Sequence, residues 1–415
     1  MILMEKIYGL IGNPLGHSFS PQIHAGLGDY IYKLFPMEEE AVGAFLTARE
    51  FEAINVTIPY KQTVMPYCDR IAPEALAIGS VNTIVKEADG TLSGYNTDYF
   101  GFKLMLERAG IEVTGKKCLV LGSGGSSKTV VCVLTDMGAS SVTVISRSGE
   151  NNYENIGKHA DAEVIVNTTP VGMYPKNGAQ AVDLDCFSRL TGVADLIYNP
   201  EKTALILQAE RKNISCTGGL YMLVAQGAKA SEFFHRTRYD SGVIERVFNE
   251  VNGKMRNVTL VGMPGCGKSS VGRVLAEMLG RELVDSDEYI TEKWGRTPAD
   301  IITGEGEDAF RKIETEALTE LTKRSSIVLS TGGGCVTRQE NHPLLRQNGK
   351  VVFINRDISL LATDGRPLSA GGADRLAKLY EARLPLYRAV CDIEIETGKD
   401  SVIEQTAERI KTLII

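Results

Sequence analysis

The sequence has no closely spaced cysteines. Eight cysteines are spread over 415 residues, and the two nearest, Cys118 and Cys132, are 14 positions apart. Thiol ligands of zinc and redox-active pairs are usually about two to four residues apart, so this spacing excludes a zinc site built on cysteine pairs. Most of the cysteines lie in apolar stretches, which indicates buried, reduced thiols and predicts a cytoplasmic protein.

The chain also lacks a long apolar run and an excess of positive charge. No run of about 18 apolar residues occurs, and the apolar part of MILMEKIYGLIG is too short for a signal peptide. Lys and Arg total 45 against 52 Asp and Glu, a net charge of −7, without a basic cluster that would bind a phosphate backbone. We therefore expect neither nucleic acid nor a membrane as a partner, and no feature indicates an oligomeric state.

What the sequence does contain is an ordinary globular composition, with 43% hydrophobic residues and 42 glycines against 14 prolines. Its length suits two or three domains of about 150 residues. Short β-branched runs alternate with amphipathic segments, which predicts α/β domains with mainly parallel sheets. The predicted strands are 6–12, 53–57, 117–122, 141–146, 163–167, 257–262, 327–330 and 350–355.

A polar stretch, NEVNGKMRN at 249–257, precedes a new apolar strand and predicts a domain boundary. A glycine-rich turn joins a strand to a helix on each side of it, at Gly122 and at Gly262. Such turns bind phosphates through backbone N–H groups, so the sequence predicts two nucleotide sites.

The second turn, GMPGCGKS at 262–269, matches the phosphate-binding pattern GxxxxGK[ST] between a strand and a helix. Loop N–H groups surround the β-phosphate, Lys268 neutralises the terminal phosphate oxygens, and Ser269 offers a hydroxyl to Mg²⁺. The predicted ATP-binding residues of the loop are Gly262, Gly265, Cys266, Gly267, Lys268, Ser269 and Ser270.

Further polar residues of this half follow a strand or lie on helices and loops. Asp285 and Asp287 come just after the next strand, where α/β sheets hold their ligands, so one can support Mg²⁺ and the other a substrate hydroxyl. Both also suit the cap of the helix that follows. The remaining candidates for binding an anionic substrate or phosphate are Arg311, Gly332, Gly333, Gly334, Arg366 and Arg383.

The order of GxxGxGKS, DxD, FRxxE, GGG, RPL and RxPLY resembles shikimate kinase over 257–415. The resemblance implies a P-loop domain that phosphorylates the 3-hydroxyl of shikimate with ATP and Mg²⁺. Asp287 would orient that hydroxyl, and Asp285 with Ser269 would hold the metal. Arg311 and Arg383 would bind the substrate carboxylate, backbone around Gly333 would contact the ring hydroxyls, and Arg366 on a lid would close over the phosphate. Ala362 stands where the family usually has an Arg that packs against adenine, which predicts weaker binding of the adenine ring.

The first turn, GSGGSS at 122–127, is of the dinucleotide-binding type, although Ser127 replaces its third glycine. The next strand ends about 20–25 residues further on, at Ser146 and Arg147, where an NAD site would carry an acidic residue. A guanidinium suits the 2′-phosphate of NADP instead. The predicted NADP-binding residues here are Gly122, Ser123, Gly124, Gly125, Ser126, Ser127, Ser146 and Arg147.

Outside this turn, polar residues recur in four motifs, GNPLGHSFSP (12–21), NVTIPYK (55–61), SVNT (80–83) and GYNTD (94–98). Each alone suits an ordinary turn or surface residue. Followed by NTTPVGM (167–173), DLIYNPEKTALI (195–206) and GGLYMLVAQ (218–226), the set resembles shikimate dehydrogenase over about 5–248. That resemblance implies reversible, NADPH-dependent reduction of 3-dehydroshikimate to shikimate.

The same resemblance implies roles for individual residues. Lys61 and Asp98 would be the catalytic pair, and Met222 would contact the cofactor. Reduction of a carbonyl needs a proton at oxygen, and the sequence leaves open which of the two residues donates it. The implied substrate residues are Ser18, Ser20, Thr57, Asn82, Tyr198 and Gln226.

Together these features predict a two-lobed dehydrogenase, with a substrate lobe and a Rossmann-type NADP lobe, followed by a P-loop kinase. The predicted domains are a substrate lobe at 1–98 plus 219–250, an NADP lobe at 99–218 and a kinase at 257–415. Two alternatives stay open. One is a quinate/shikimate dehydrogenase joined to a kinase of another small polyol acid, and the other is a catalytically inactive, nucleotide-responsive sensor.

Overall fold

Short strands alternate with helices along the chain, as the sequence pattern predicts. The computed structural model describes residues 6–16, 18–361 and 372–414. These residues form two units. The first holds the described residues up to Gly172 together with 179–198 and 208–251, and the second holds 173–178, 199–207 and the described residues from Asn252 onward.

The strands and α-helices that precede residue 257 number eleven and eight. In chain order they are β1 (Tyr8–Gly12), α1 (Ser20–Leu27), β2 (Tyr32–Pro36), α2 (Glu39–Ala48), β3 (Ala53–Val56), β4 (Arg70–Ile71), α3 (Pro73–Ile78), β5 (Thr83–Lys86), β6 (Leu92–Tyr95), α4 (Thr97–Arg108), β7 (Lys117–Leu121), α5 (Gly125–Asp136), β8 (Ser141–Ile145), β9 (Val164–Asn167), β10 (Gly192–Asp195), α6 (Ala204–Arg211), β11 (Ser215–Thr217), α7 (Leu220–His235) and α8 (Ser241–Met255). These counts cover the described residues.

The remaining elements of the described chain repeat the same alternation. They are β12 (Asn257–Val261), α9 (Lys268–Leu279), β13 (Glu282–Asp285), α10 (Ser286–Trp294), α11 (Pro298–Glu305), α12 (Glu307–Leu321), β14 (Ile327–Ser330), α13 (Asn341–Arg346), β15 (Gly349–Arg356), α14 (Gly372–Val390), β16 (Ile393–Thr397) and α15 (Ile403–Ile414).

Three sheets organise these elements. The first, in the order β2-β1-β3-β5-β6-β4, is mixed, because β5 pairs antiparallel with both β3 and β6. The second (β11-β10-β9-β7-β8) and the third (β13-β14-β12-β15-β16) are parallel throughout. The predicted α/β class is confirmed, and the eight predicted strands occur within two residues of their predicted bounds. The antiparallel pairs are a departure that the alternation pattern did not indicate.

The polar stretch at 249–257 is largely helical. Helix α8 continues through it to Met255, because buried apolar residues recur at helical spacing at Ile244, Val247, Val251 and Met255. The two units divide between Val251 and Asn252, inside this helix. The three predicted domains, with their sequence bounds, stay a prediction.

Buried side chains and close backbone contacts hold the strands and helices of each unit together. In the second unit, β12, β14 and β15 contribute a buried apolar core that includes Leu260, Leu329 and Phe353. In the first unit, α4 packs against α7, and a Cβ at Gly101 would lie 2.6 Å from the Met222 carbonyl oxygen. Glycine is therefore needed at this crossing.

All eight cysteines are free thiols, as predicted. Cys118, Cys266 and Cys335 are buried, and burial raises the pKa of Cys118 to about 11. Cys186 is exposed and the other four are partly exposed, so the expected burial holds for three of the eight cysteines. In the described part of the chain, no helix is both long and apolar enough to cross a membrane.

Candidate active sites

A cavity of about 360 Å³ in the first unit collects polar side chains from separated segments. The loops after the parallel strands β1 and β3 contribute, because parallel neighbours end at the same sheet edge. The turn before β5, the first turn of α4, the loop after β10 and helix α7 complete the wall. The predicted residues that line it are Ser18, Ser20, Thr57, Lys61, Asn82, Asp98, Tyr198 and Gln226.

Lys61 and Asp98 form an ion pair in this cavity. Lys61 Nζ donates to Asp98 Oδ2 at 2.6 Å, with side-chain exposed fractions of 28% and 19%. Asp98 lies in the first turn of α4, where the helix dipole favours a carboxylate. The Lys61 carbonyl accepts a hydrogen bond from Val81 N, which fixes the backbone of the lysine against the turn before β5. The pair offers a cationic proton donor whose position is held by a carboxylate.

A buried network fixes the amide of Asn82. Its Oδ1 accepts from Thr97 N at 2.7 Å, and Thr97 Oγ1 lies 3.3 Å from Gln226 Oε1. Asn55, which sequence reasoning missed as a site residue, accepts from Tyr32 Oη at 2.7 Å and donates to the Asn82 carbonyl at 3.3 Å. Asn55 lines the cavity and stands first in the NVT motif, which was the available signal.

The glycine-rich turn of the first unit has the shape that a dinucleotide phosphate requires. Gly122 has φ +103°, and a Cβ there would lie 2.9 Å from Thr168 Oγ1, so only glycine fits. A Cβ at Gly124 or Gly125 would have no atom of the described residues within 4 Å, and α5 begins there without a side-chain cap. The N–H groups of its first turn are therefore available to an anion, and the residues fit NADP.

The other predicted NADP residues differ in exposure. Ser123 and Ser126 are exposed, whereas Ser127 is buried and donates to the Gly124 carbonyl. Ser146 follows β8, and Arg147 beside it is exposed, as a phosphate-binding side chain would need to be. Met222, on α7, is not among the residues that line the cavity.

A second cavity, of about 350 Å³, lies in the second unit. Phosphate-loop, acidic, arginine and triple-glycine residues meet there, as the sequence predicts. The predicted residues that line it are Gly265, Lys268, Ser269, Asp285, Asp287, Arg311, Gly332, Gly333, Gly334 and Arg383. The loop residues Gly262, Cys266, Gly267 and Ser270 are not in the lining, and Ala362 and Arg366 lie outside the described residues.

The glycines of the phosphate loop adopt backbone conformations that other residues rarely adopt. Gly262, Gly265 and Gly267 have φ values of +151°, +83° and +97°, and a Cβ at Gly262 would lie 2.6 Å from the Ile354 carbonyl oxygen. Lys268 is buried, and its Nζ donates to the carbonyls of Gly262 and Met263 at 2.9 and 3.0 Å. The loop thus places a lysine among backbone groups at the start of α9, which fits the phosphates of ATP.

Asp285 uses its two oxygens differently. Oδ1 accepts from Asp287 N at 3.0 Å and caps α10, while Oδ2 accepts from Ser269 Oγ at 2.8 Å. The capping interpretation and the metal-site interpretation are therefore compatible. A carboxylate oxygen beside a hydroxyl is a ligand set that suits Mg²⁺.

Two buried arginines face the triple glycine. Arg311 Nη1 donates to Glu314 Oε2 at 2.7 Å, and Arg383 Nη1 donates to the Gly333 carbonyl at 3.2 Å. A Cβ at Gly334 would lie 2.0 Å from Arg311 Nη2, and one at Gly332 would lie 2.5 Å from Glu314 Oε1. The glycines are therefore required by the charged side chains packed on them.

Glu314 is a site residue that sequence reasoning missed, although it is the last residue of the FRxxE motif. Its side chain is fully buried and lines the cavity. Burial raises the pKa of Glu314 to about 7, while the Arg311 guanidinium opposes that rise. The site therefore holds a carboxyl group with a pKa of about 7 beside two guanidinium groups.

Family models match both parts of the chain. Residues 10–84 match the shikimate dehydrogenase substrate binding domain, and residues 264–414 match shikimate kinase. The "Shikimate dehydrogenase (NADP(+))" of Clostridium beijerinckii is 37% identical over 264 residues, which are 59% of this chain and 97% of that protein.

Solved structures resemble the dehydrogenase part. A chorismate mutase/shikimate 5-dehydrogenase fusion protein from Clostridium acetobutylicum is 35% identical, with a TM-score of 0.57 over 60% of this chain and 98% of that one. Shikimate 5-dehydrogenase from Thermus thermophilus, solved with NADP(H) and shikimate, is 29% identical, with a TM-score of 0.54 over 59% of this chain and 99% of that one. The chain belongs to the shikimate dehydrogenase family and also carries a domain of the shikimate kinase family, so it combines an oxidoreductase with a kinase.

Proposed function

We propose that the chain reduces 3-dehydroshikimate to shikimate with NADPH and then phosphorylates the shikimate 3-hydroxyl with ATP and Mg²⁺. The observation that carries the proposal is that each unit gathers, in one cavity, the polar residues that its own reaction requires. The product of the first reaction is the substrate of the second, so each assignment supports the other.

In the first cavity, NADPH supplies the hydride when it is bound. The Lys61–Asp98 pair delivers a proton to the carbonyl oxygen, and the carboxylate at 2.6 Å holds the ammonium in place. The hydroxyl and amide groups of Ser18, Asn82 and Gln226 orient the substrate. The backbone of the turn at 122–125 receives the dinucleotide phosphates, and Arg147 receives the 2′-phosphate.

In the second cavity, ATP with Mg²⁺ supplies the phosphoryl group. Asp287 orients the 3-hydroxyl and accepts its proton, and Lys268 neutralises charge on the phosphates. Ser269 and Asp285 would hold the metal. Arg311 and Arg383 bind the substrate carboxylate in a site that has little exposure to water, where a charge-assisted hydrogen bond is strong.

A coupled assay of the full chain tests both halves. With 3-dehydroshikimate, NADPH, ATP and Mg²⁺, we expect NADPH to be consumed and ADP to form. Without ATP, NADPH should still be consumed. Absence of ADP formation from added shikimate would contradict the kinase half, and absence of NADPH oxidation would contradict the dehydrogenase half. Replacing shikimate by quinate in both half-reactions tests the alternative substrates.

A further inference from the structure

One acidic side chain contacts both arginines of the second cavity. Glu307 Oε1 accepts from Arg311 Nε at 3.2 Å and from Arg311 Nη2 at 2.8 Å, and it lies 3.9 Å from Arg383 Nη2. The exposed fractions of the two arginine side chains are 6% and 4%, whereas that of Glu307 is 44%. A single carboxylate oxygen, accessible to solvent, thus joins two buried guanidinium groups.

These guanidinium groups need an anion. Arg383 Nη1 donates to the carbonyl of Gly333, which is neutral, and Arg311 Nη1 donates to Glu314, whose buried carboxyl group resists ionisation. Asp287 is another acidic group that faces Glu314, and the proposed function assigns it to the substrate hydroxyl. Glu307 therefore supplies negative charge to both arginines.

The position of Glu307 allows its side chain to turn away from the two arginines. It is the first residue of α12, and Gly306 before it has φ +91° and ends α11. Because the side chain is nearly half exposed, water can solvate the carboxylate once it turns away. The buried arginines have no such freedom, so a departing Glu307 leaves two cations that require another anion.

We infer that Glu307 is a specificity-determining residue of the kinase site, an internal carboxylate that occupies the arginines until a substrate carboxylate replaces it. The inference rests on the proposed kinase function. A ligand with its own carboxylate exchanges one anion for another, whereas a neutral polyol would leave the buried guanidinium groups uncompensated. The site therefore selects acids over neutral polyols through competition as well as attraction.

The test is Glu307→Gln, which keeps the size of the side chain and removes its charge. We expect the KM for shikimate to fall roughly two- to five-fold, the range for loss of a partly exposed ion pair, with kcat unchanged. Sodium acetate, at constant ionic strength, should inhibit the variant more strongly than the natural enzyme by a similar factor. Asp308→Asn is the matched control, because it removes a charge from the next, exposed residue of the same turn and should change neither value.

The direction of the change in KM shows whether Glu307 competes with the substrate carboxylate or positions Arg311 for it. A rise in the KM of Glu307→Gln would mean that Glu307 positions Arg311, and an unchanged KM or acetate inhibition would mean that it does not compete; each result would overturn the inference. Glu307→Ala repeats the test should the amide destabilise the fold. Failure of the natural enzyme to phosphorylate shikimate would contradict the proposed function instead, before any variant is compared.

Discussion

The two cavities hold similar volumes but different amounts of buried charge. Among the described residues that line the first, Lys61 and Asp98 are the charged ones, and hydroxyl, amide and apolar groups form the rest. Six charged side chains line the second, whereas two line the first. The six are Lys268, Asp285, Asp287, Arg311, Glu314 and Arg383.

This difference follows the chemistry proposed for each unit. Carbonyl reduction requires one proton at one oxygen, which a single ion pair can deliver. Phosphoryl transfer develops charge on several oxygens and has little covalent work for the protein, so cations must be concentrated around it. In a chain of net charge −7, that concentration is local, and the buried arginines contact the carboxylate of Glu307 and the carboxyl group of Glu314.

The comparison is tested most strongly by removing one lysine from each cavity. Lys61→Ala should lower the rate of reduction by about 10²–10⁴-fold, because the proton donor is lost, and leave phosphorylation of added shikimate intact. Lys268→Ala should lower phosphorylation by about 10²–10³-fold, because phosphate charge is no longer neutralised, and leave reduction intact. NADPH oxidation and ADP formation, measured separately on each variant, give the result.

Each variant serves as the control of the other. Loss of both activities in either variant, with an unchanged circular dichroism spectrum, would contradict the assignment of one reaction to each cavity. The single tryptophan, Trp294, lies at the end of α10 in the second unit, so its fluorescence reports separately whether the kinase part is folded.

A second prediction concerns the buried charge itself. Burial raises the pKa of Glu314 from its ordinary value of 4.5 to about 7. Between these pH values the folded protein keeps the proton and the unfolded chain loses it, so unfolding is favoured as pH rises. We expect this group to lower the free energy of unfolding of the second unit by about 3 kcal/mol across that window.

Glu314→Gln should therefore flatten the pH dependence of unfolding over the same window. Denaturant unfolding followed by Trp294 fluorescence measures the free energy of the second unit at each pH. Glu316→Gln is the control, since Glu316 is exposed on the same helix and should leave the slope unchanged. An equal slope in Glu314→Gln and the natural chain would show that Glu314 is ionised in both states.

The sequence predicted the residues of each cavity better than the interactions between them. Lys268, Ser269 and the triple glycine stand in motifs whose spacing carries their chemistry, and all line the cavity as expected. Asn55 and Glu314 stand in the same motifs, yet their importance depends on burial and on partners distant in sequence. Spacing along one chain does not reveal that a carboxyl group will be excluded from water.

The fold likewise shows what a local sequence pattern does not contain. Alternating strands and helices predicted the parallel sheets, because each strand is an apolar run bounded by turns. The antiparallel pairing of β5 with its neighbours depends on strand order, which local pattern does not contain. Helix α8 continues into the polar stretch at 249–257 as far as Met255, because buried apolar residues recur at helical spacing among its polar ones.

The smallest expected effect concerns an exposed cation of the first unit. Arg147 follows β8 and is exposed, in contrast to the buried arginines of the kinase cavity, so its hydrogen bonds compete with water. Arg147→Ala should raise the KM for NADPH about ten-fold, because a charge-assisted contact with the 2′-phosphate is lost, and should leave the KM for NADH unchanged. Arg189→Ala, which removes another largely exposed arginine of the same unit, should change neither value. An equal rise for both cofactors would mean that Arg147 supports the turn rather than the 2′-phosphate, and the contrast between exposed and buried cations would then rest on the kinase cavity alone.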